Sequence, residues 1–188
     1  RMVGLINNAG VHGPVGAFED LASEEWINTF STNLFGPAYL SKICIPSLRQ
    51  EKGFIIFLSG GGGAFPRANY SAYGVSKSGV IRLADTLALE LHPEVMVYCI
   101  APGPNRTQLL TETRESGEVV LEGDIVDFSF PENLCIFLAN NKDSRYSGKF
   151  IHVRDDYQHW SDGQLGEVSY TMRRIDPRNL ARLDLRIL

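Results

Sequence analysis

The stretch Phe54-Ile-Ile-Phe-Leu-Ser-Gly-Gly-Gly-Gly63 decides how this chain is read. Phe54 to Leu58 is continuously apolar, and Ser59 and four glycines stop the run. A strand with one wet face alternates apolar and polar residues. A run with no alternation has both faces covered, as in a parallel sheet flanked by helices. Three further runs read as strands: Val3 to Ile6, Val95 to Ile100 and Lys149 to Val153. The first runs into Asn7-Asn8-Ala9-Gly10, and the third into Ala101-Pro102-Gly103.

Helical patterns lie between these strands. Ser23 is placed as an N-cap, with Glu24 and Glu25 suited to the positive helix start. The helix runs to about Ser47 with an apolar stripe of Ile27, Phe30, Leu34 and Ala38, and Pro46 falls at its end. A second helix carries Tyr73 and continues to about Leu91, with Val80, Leu83, Leu87 and Leu91 turned inward. Gln108 to Ser129 is polar and reads as a mobile segment with short helices; Pro131 then opens a helix reaching Leu138. Strands alternating with helices at this spacing give right-handed βαβ units. Residues 1–153 read as one α/β unit, and residues 154–188 read as a C-terminal extension, polar and mixed in charge. Within that extension Tyr157, Trp160 and Tyr170 are interspersed, and Asp176-Pro177 caps a short helix.

At 188 residues, 44% hydrophobic and 21% charged, the chain has the composition of a globular domain or part of one. A net charge of −4 argues against a general nucleic-acid or anionic-membrane surface. No run approaches the ~18 apolar residues of a membrane span. Cys44, Cys99 and Cys135 are scattered in apolar contexts and read as reduced thiols of a cytoplasmic protein. The four histidines, His12, His92, His152 and His159, lack ligand spacing, so no metal site is expected and each is read as non-catalytic.

The chemistry centres on Tyr73 and Lys77, in Tyr70-Ser-Ala-Tyr-Gly-Val-Ser-Lys77. Four residues apart on a helix, they share one face. An ammonium beside a phenol favours the phenolate, and a tyrosine tuned in this way exchanges a proton with an alcohol near neutral pH. Alone the pattern is weak, because seven tyrosines in 188 residues make chance matches common. Its company is informative. Asn33 lies inside a helix, where asparagine is a poor helix former. Ser59 ends one strand, and Pro102, Gly103 and Thr107 follow another. A parallel sheet brings such groups together at the carboxyl ends of its strands.

In this order the motifs resemble those of the short-chain dehydrogenase/reductase family, from about Val3 to about Val153. The resemblance implies an α/β Rossmann-type parallel sheet with helices on both faces, here only the C-terminal part of the doubly wound fold. It implies NAD(P)-dependent interconversion of an alcohol and a carbonyl. Tyr73 is the general acid/base and Lys77 its partner, which also binds the nicotinamide ribose. Ser59 donates to the substrate oxygen, and Asn33 shapes a water relay to Lys77. Members of the family often have two serines at this strand end with the second catalytic; here the second position is Gly60. Asn8, Ala9 and Gly10, with Pro102, Gly103 and Thr107, border the cofactor, NAD or NADP, and Gly60 to Gly63 read as a flexible substrate-side loop. The glycine-rich pyrophosphate fingerprint does not precede Val3, so roughly 70–90 residues of the family pattern are expected upstream. A small-molecule substrate and a homodimer or homotetramer are implied. Two other readings stand beside this one. One is a non-enzymatic fragment or interaction module without the pyrophosphate site. The other is an extended-type nucleotide-sugar epimerase or dehydratase.

Overall fold

The computed structural model describes residues 1–117 and 122–160. In chain order its elements are β1 (Gly4–Asn7), α1 (Ser23–Phe30), α2 (Gly36–Gln50), β2 (Phe54–Leu58), α3 (Gly61–Ala64) and α4 (Ser71–Leu91). They continue with β3 (Met96–Ala101), α5 (Gln108–Glu115), α6 (Ser129–Asn141) and β4 (Phe150–His152). The four strands are parallel and lie in the order β1-β2-β3-β4. The parallel α/β sheet expected from the apolar runs, of the Rossmann type the resemblance implies, is present, with β1 and β4 at the edges of the described sheet.

Period-two alternation divides the core into two layers. Ile55 and Phe57 of β2, with Val97 and Cys99 of β3, face Leu48 of α2 and the inner stripe of α4. Phe54 and Ile56, with Met96, Tyr98 and Ile100, face Leu134 and Leu138 of α6. Both sets are buried, which is why β2 and β3 carry no polar alternation. A fully buried Leu, Ile or Val contributes about 1.5–3 kcal/mol over leaving it exposed. The inner face of α4 includes Val80, Ala84, Ala88 and Leu91, and the two alanines let the helix approach the sheet closely.

Several boundaries differ from the sequence reading. Ser23 is the first helical residue rather than the cap; Ala22 occupies the cap and offers no side-chain acceptor. The helix continues past Pro46 to Gln50. Helix α6 starts at Ser129, two residues before Pro131, where the Ser129 N–H donates to the Asp127 carboxylate at 2.9 Å. Gly60 to Gly63 is not an open loop. Gly62 and Gly63 are buried and pack closely on the helix behind them, and a Cβ on Gly63 would lie 2.9 Å from the Lys77 backbone. Packing also runs past Val153. Tyr157 and Trp160 are buried in the same cluster as Leu134 and Leu138, and Trp160 stacks on Tyr146 at 5.7 Å between ring centroids. Tyr170 and the short helix expected at Asp176-Pro177 lie outside the described residues.

Candidate active site

A cleft of about 1100 Å³ opens at the carboxyl ends of the strands. The end of β1 contributes Asn8, Ala9 and Gly10, and the end of β3 contributes Pro102, Gly103 and Thr107. Ser59, Tyr73 and Lys77 also reach it. Asn33 stands behind this wall, 1% exposed.

Tyr73 and Lys77 project from the first two turns of α4 and are 8% and 5% exposed. The Lys77 Nζ lies 5.9 Å from the Tyr73 ring centroid and donates to the Leu58 carbonyl at 2.9 Å, at the end of β2. Burial lowers the lysine pKa from 10.5 to about 8. Burial also raises the Tyr73 pKa, and the positive charge that opposes this is Arg67. The sequence reading had Lys77 depressing the phenol. Desolvation wins, because the ammonium is directed to a backbone carbonyl and is itself buried. The Tyr73 hydroxyl has no hydrogen-bond partner among the described residues.

Asn33 sits in a π-helical turn, Ser31–Phe35, that joins α1 to α2. The wider turn is the physical answer to an asparagine in mid-helix. Its Oδ1 accepts from the Val11 N–H at 2.8 Å, and its Nδ2 donates to the Val11 carbonyl at 2.9 Å and to Ser76 Oγ at 3.0 Å. One side chain thus ties the loop after β1 to α4. Asn7, the last residue of β1, reaches the other way and donates to Ser41 Oγ at 3.3 Å.

Ser59 is placed differently from its expected role. Its backbone N–H extends the ladder to the Ile100 carbonyl at 2.9 Å. Its hydroxyl donates to the Lys77 carbonyl at 3.0 Å, which leaves it bracing α4 rather than facing Tyr73. Gly60 is the residue beside the phenol. A Cβ built there lies 3.3 Å from Tyr73 Oη, with nothing else within 4 Å. A one-residue step at a strand end turns the side chain to the other face, so serine and glycine exchange places relative to the phenol.

The opposite wall is α5. Thr107 caps it, accepting from the Leu110 N–H at 3.4 Å and donating to the Asn105 carbonyl at 3.3 Å. Its hydroxyl is therefore engaged in the helix cap as well as lining the cleft. The helix is held over the cleft by Tyr70 Oη and Ser116 Oγ, 2.6 Å apart, and by Thr113 Oγ1, 3.4 Å from His12 Nε2. His12 had been read as non-catalytic. The structure puts it in the cleft wall against Tyr73, and nothing in its sequence spacing signals that position. Arg67 lies over the Tyr70 ring at 4.6 Å.

A parallel α/β sheet with a paired Tyr and Lys at its carboxyl edge defines a class, and comparison with known proteins gives the family. The family model for short chain dehydrogenases matches residues 1–118, and the chain belongs to this family. It is 33% identical over 165 residues to an uncharacterized short-chain type dehydrogenase/reductase of Sinorhizobium fredii, covering 79% of this chain and 62% of that protein. It is 35% identical over 108 residues to 11-beta-hydroxysteroid dehydrogenase-like 3 of Arabidopsis thaliana, covering 57% of this chain and 35% of the relative. Among solved structures, a short-chain dehydrogenase/reductase of Saccharomyces cerevisiae superposes with a TM-score of 0.76 at 25% identity. That match covers 85% of this chain and 68% of the other. The chain spans about one third to three fifths of the length of these curated relatives. Among the described residues, no helix is long and apolar enough to cross a membrane.

Proposed function

We propose that this chain carries the proton-transfer machinery of an NAD(P)-dependent oxidoreductase interconverting a small-molecule alcohol and a carbonyl. The observation that carries the reading is the Tyr73 hydroxyl, on a buried residue in the cleft wall, unpartnered among the described residues and one helical turn from a buried lysine. The cleft fits a nicotinamide. Gly10 leaves room beside Lys77, since a Cβ there would lie 3.1 Å from Nζ and 3.5 Å from Asn33 Oδ1. Asn8, Ala9 and Gly10 would hold the cofactor on one side, and Pro102, Gly103 and Thr107 on the other. A nicotinamide held there would supply the hydride in reduction and accept it in oxidation. NADP is bound in a similar short-chain dehydrogenase structure from Shigella flexneri, at 24% identity and a TM-score of 0.75, which supports a nicotinamide dinucleotide without choosing between the two.

In reduction Tyr73 gives its proton to the carbonyl oxygen, and the O–H bond of the phenol breaks as that of the alcohol forms. The raised pKa keeps the phenol protonated before this step. The Lys77 ammonium then favours the phenolate that is left, and solvent returns the proton. In oxidation the same atoms run backwards. Asn33 is a positioning residue, fixing Val11 and Ser76 around this pair. Ser59 is assigned the bracing of α4, and the substrate oxygen faces the gap at Gly60. Exposed Ile27, Tyr39 and Ile43 on α1 and α2, with Val75 and Leu89 on α4, support assembly with a second copy. Tyr73→Phe in the full-length natural protein tests the assignment. Turnover falls by ~10²–10⁴-fold while cofactor affinity stays within a few-fold; near-normal turnover overturns it.

A further inference from the structure

The loop after β1 carries a polar side chain that proton transfer leaves without a task. His12 sits on a segment fixed at three points. Asn33 holds Val11 by both backbone groups. Gly13, at φ +75°, packs on Thr29, whose hydroxyl would stand 2.2 Å from any Cβ. Gly16 donates its N–H to the Asn69 carbonyl at 3.0 Å. The imidazole is thereby set in one place, 5% exposed. It lies edge-on to Tyr70 at 5.0 Å and tilted by 51° to Tyr73 at 5.5 Å between centroids.

Its two nitrogens are not equivalent. Nε2 lies 3.4 Å from Thr113 Oγ1, and that hydroxyl gives its own proton to the Leu109 carbonyl at 2.8 Å. Thr113 therefore accepts, and Nε2 carries the hydrogen. Nδ1 is then a lone pair with no donor among the described residues. The ring stays neutral: burial lowers its pKa, Arg67 acts in the same direction, and Glu112 opposes them. The other groups packed on it, Tyr70 and Tyr73, are phenols. That lone pair belongs to a cleft-lining ring beside Tyr73 and is not one of the fully buried unpaired atoms, so a donor on a ligand can reach it.

We infer that His12 contacts the substrate, its Nδ1 accepting a hydrogen bond from a second hydroxyl one or two carbons from the reacting centre, so that hydroxy-carbonyl compounds and the matching diols are the preferred substrates. The His12 and Tyr73 rings are neighbours, 5.5 Å apart between centroids, so one small ligand can touch both. This inference rests on the alcohol–carbonyl reading above and adds the substrate class.

Two side chains separate the nitrogens: asparagine keeps a polar group near Nδ1, and glutamine keeps one near Nε2. Matched pairs of ketone and hydroxyketone, 2-butanone with acetoin and cyclohexanone with 2-hydroxycyclohexanone, are compared in the full-length protein supplied with NADH and NADPH. The wild type is expected to favour the hydroxyketone in kcat/KM. His12→Gln lowers that ratio about tenfold, the scale of one net hydrogen bond, while His12→Asn retains most of it. A wild type without preference, a ratio unchanged in His12→Gln, or an equal fall in both variants overturns the inference and leaves the alcohol–carbonyl reading standing. No turnover of any pair with cofactor bound overturns that reading, and this inference with it.

Discussion

The deep end of the cleft, around Asn33 and Lys77, and its mouth, around Tyr73, Gly60 and His12, use their polar atoms differently. At the deep end Asn33 makes three hydrogen bonds to two other elements. Lys77 Nζ and the Ser59 hydroxyl cross between β2 and α4 in opposite directions, one donating to Leu58 and the other to Lys77. At the mouth the Tyr73 hydroxyl and His12 Nδ1 have no partners among the described residues, and Gly60 offers no side chain. The saturated groups hold the helix and loop in register. The unsaturated ones are those a ligand completes. Atoms at the cleft can be met by solvent or by a ligand, whereas the fully buried unpaired atoms among the described residues, Asn7 Oδ1 and Tyr98 Oη, lie away from the mouth.

This contrast breaks first if the deep end proves dispensable. Asn33→Ala removes the clamp on Val11, whose bonds to it are part-buried, and the buried hydrogen bond to Ser76. A loss of about 3 kcal/mol is expected, lowering the unfolding midpoint by roughly 10 °C. A midpoint within 1 °C of the wild type would show that Asn33 is no scaffold.

The next test uses Lys77 as a pH probe of the same region. Its folded pKa of about 8 lies below the ordinary 10.5. Below about pH 8 both states carry the proton, and burial of the charge costs stability. Between about 8 and 10.5 the unfolded chain holds more protons, so stability rises with pH, and above that window the cost is gone. The rise attributable to Lys77 is at most about 3 kcal/mol. Tyr73 and Cys99, whose pKa values are raised by burial, pull the other way. The difference between wild type and Lys77→Met in denaturant melts across this window therefore isolates the lysine. Parallel curves would mean that its ammonium is not buried in solution.

The smallest expected effect sharpens the mouth. Gly60 has extended backbone at φ 173°, which any residue adopts. Gly60→Ser places a hydroxyl beside Tyr73 Oη, and we expect kcat to rise a few-fold with little change in stability. A fall in kcat in the folded variant would assign that space to the substrate itself.

The sheet was legible because β2 and β3 are apolar without interruption, and that pattern depends only on residues adjacent in sequence. Tyr73 and Lys77 were legible for the same reason, since one helix fixes their spacing. The misplaced features all depend on a second element. Which of Ser59 and Gly60 faces Tyr73 is set by how β2 ends against α4. The glycines after Ser59 resemble a loop, yet Gly63 is small because the Lys77 backbone lies against it. Tyr157 and Trp160 follow a polar stretch and still complete the layer around Leu134 and Tyr146. His12 has no periodicity to reveal it, because its place is determined by Asn33, Thr29 and Asn69, far along the chain.

The π-helical turn at Ser31–Phe35 has a further consequence. Inserting one residue into an otherwise continuous rod shifts the angular phase of everything beyond it by about 100°. The outward stripe of α1 and the outward stripe of α2 are thus offset in phase around the helix. The chain places its asparagine at the seam where the two phases meet.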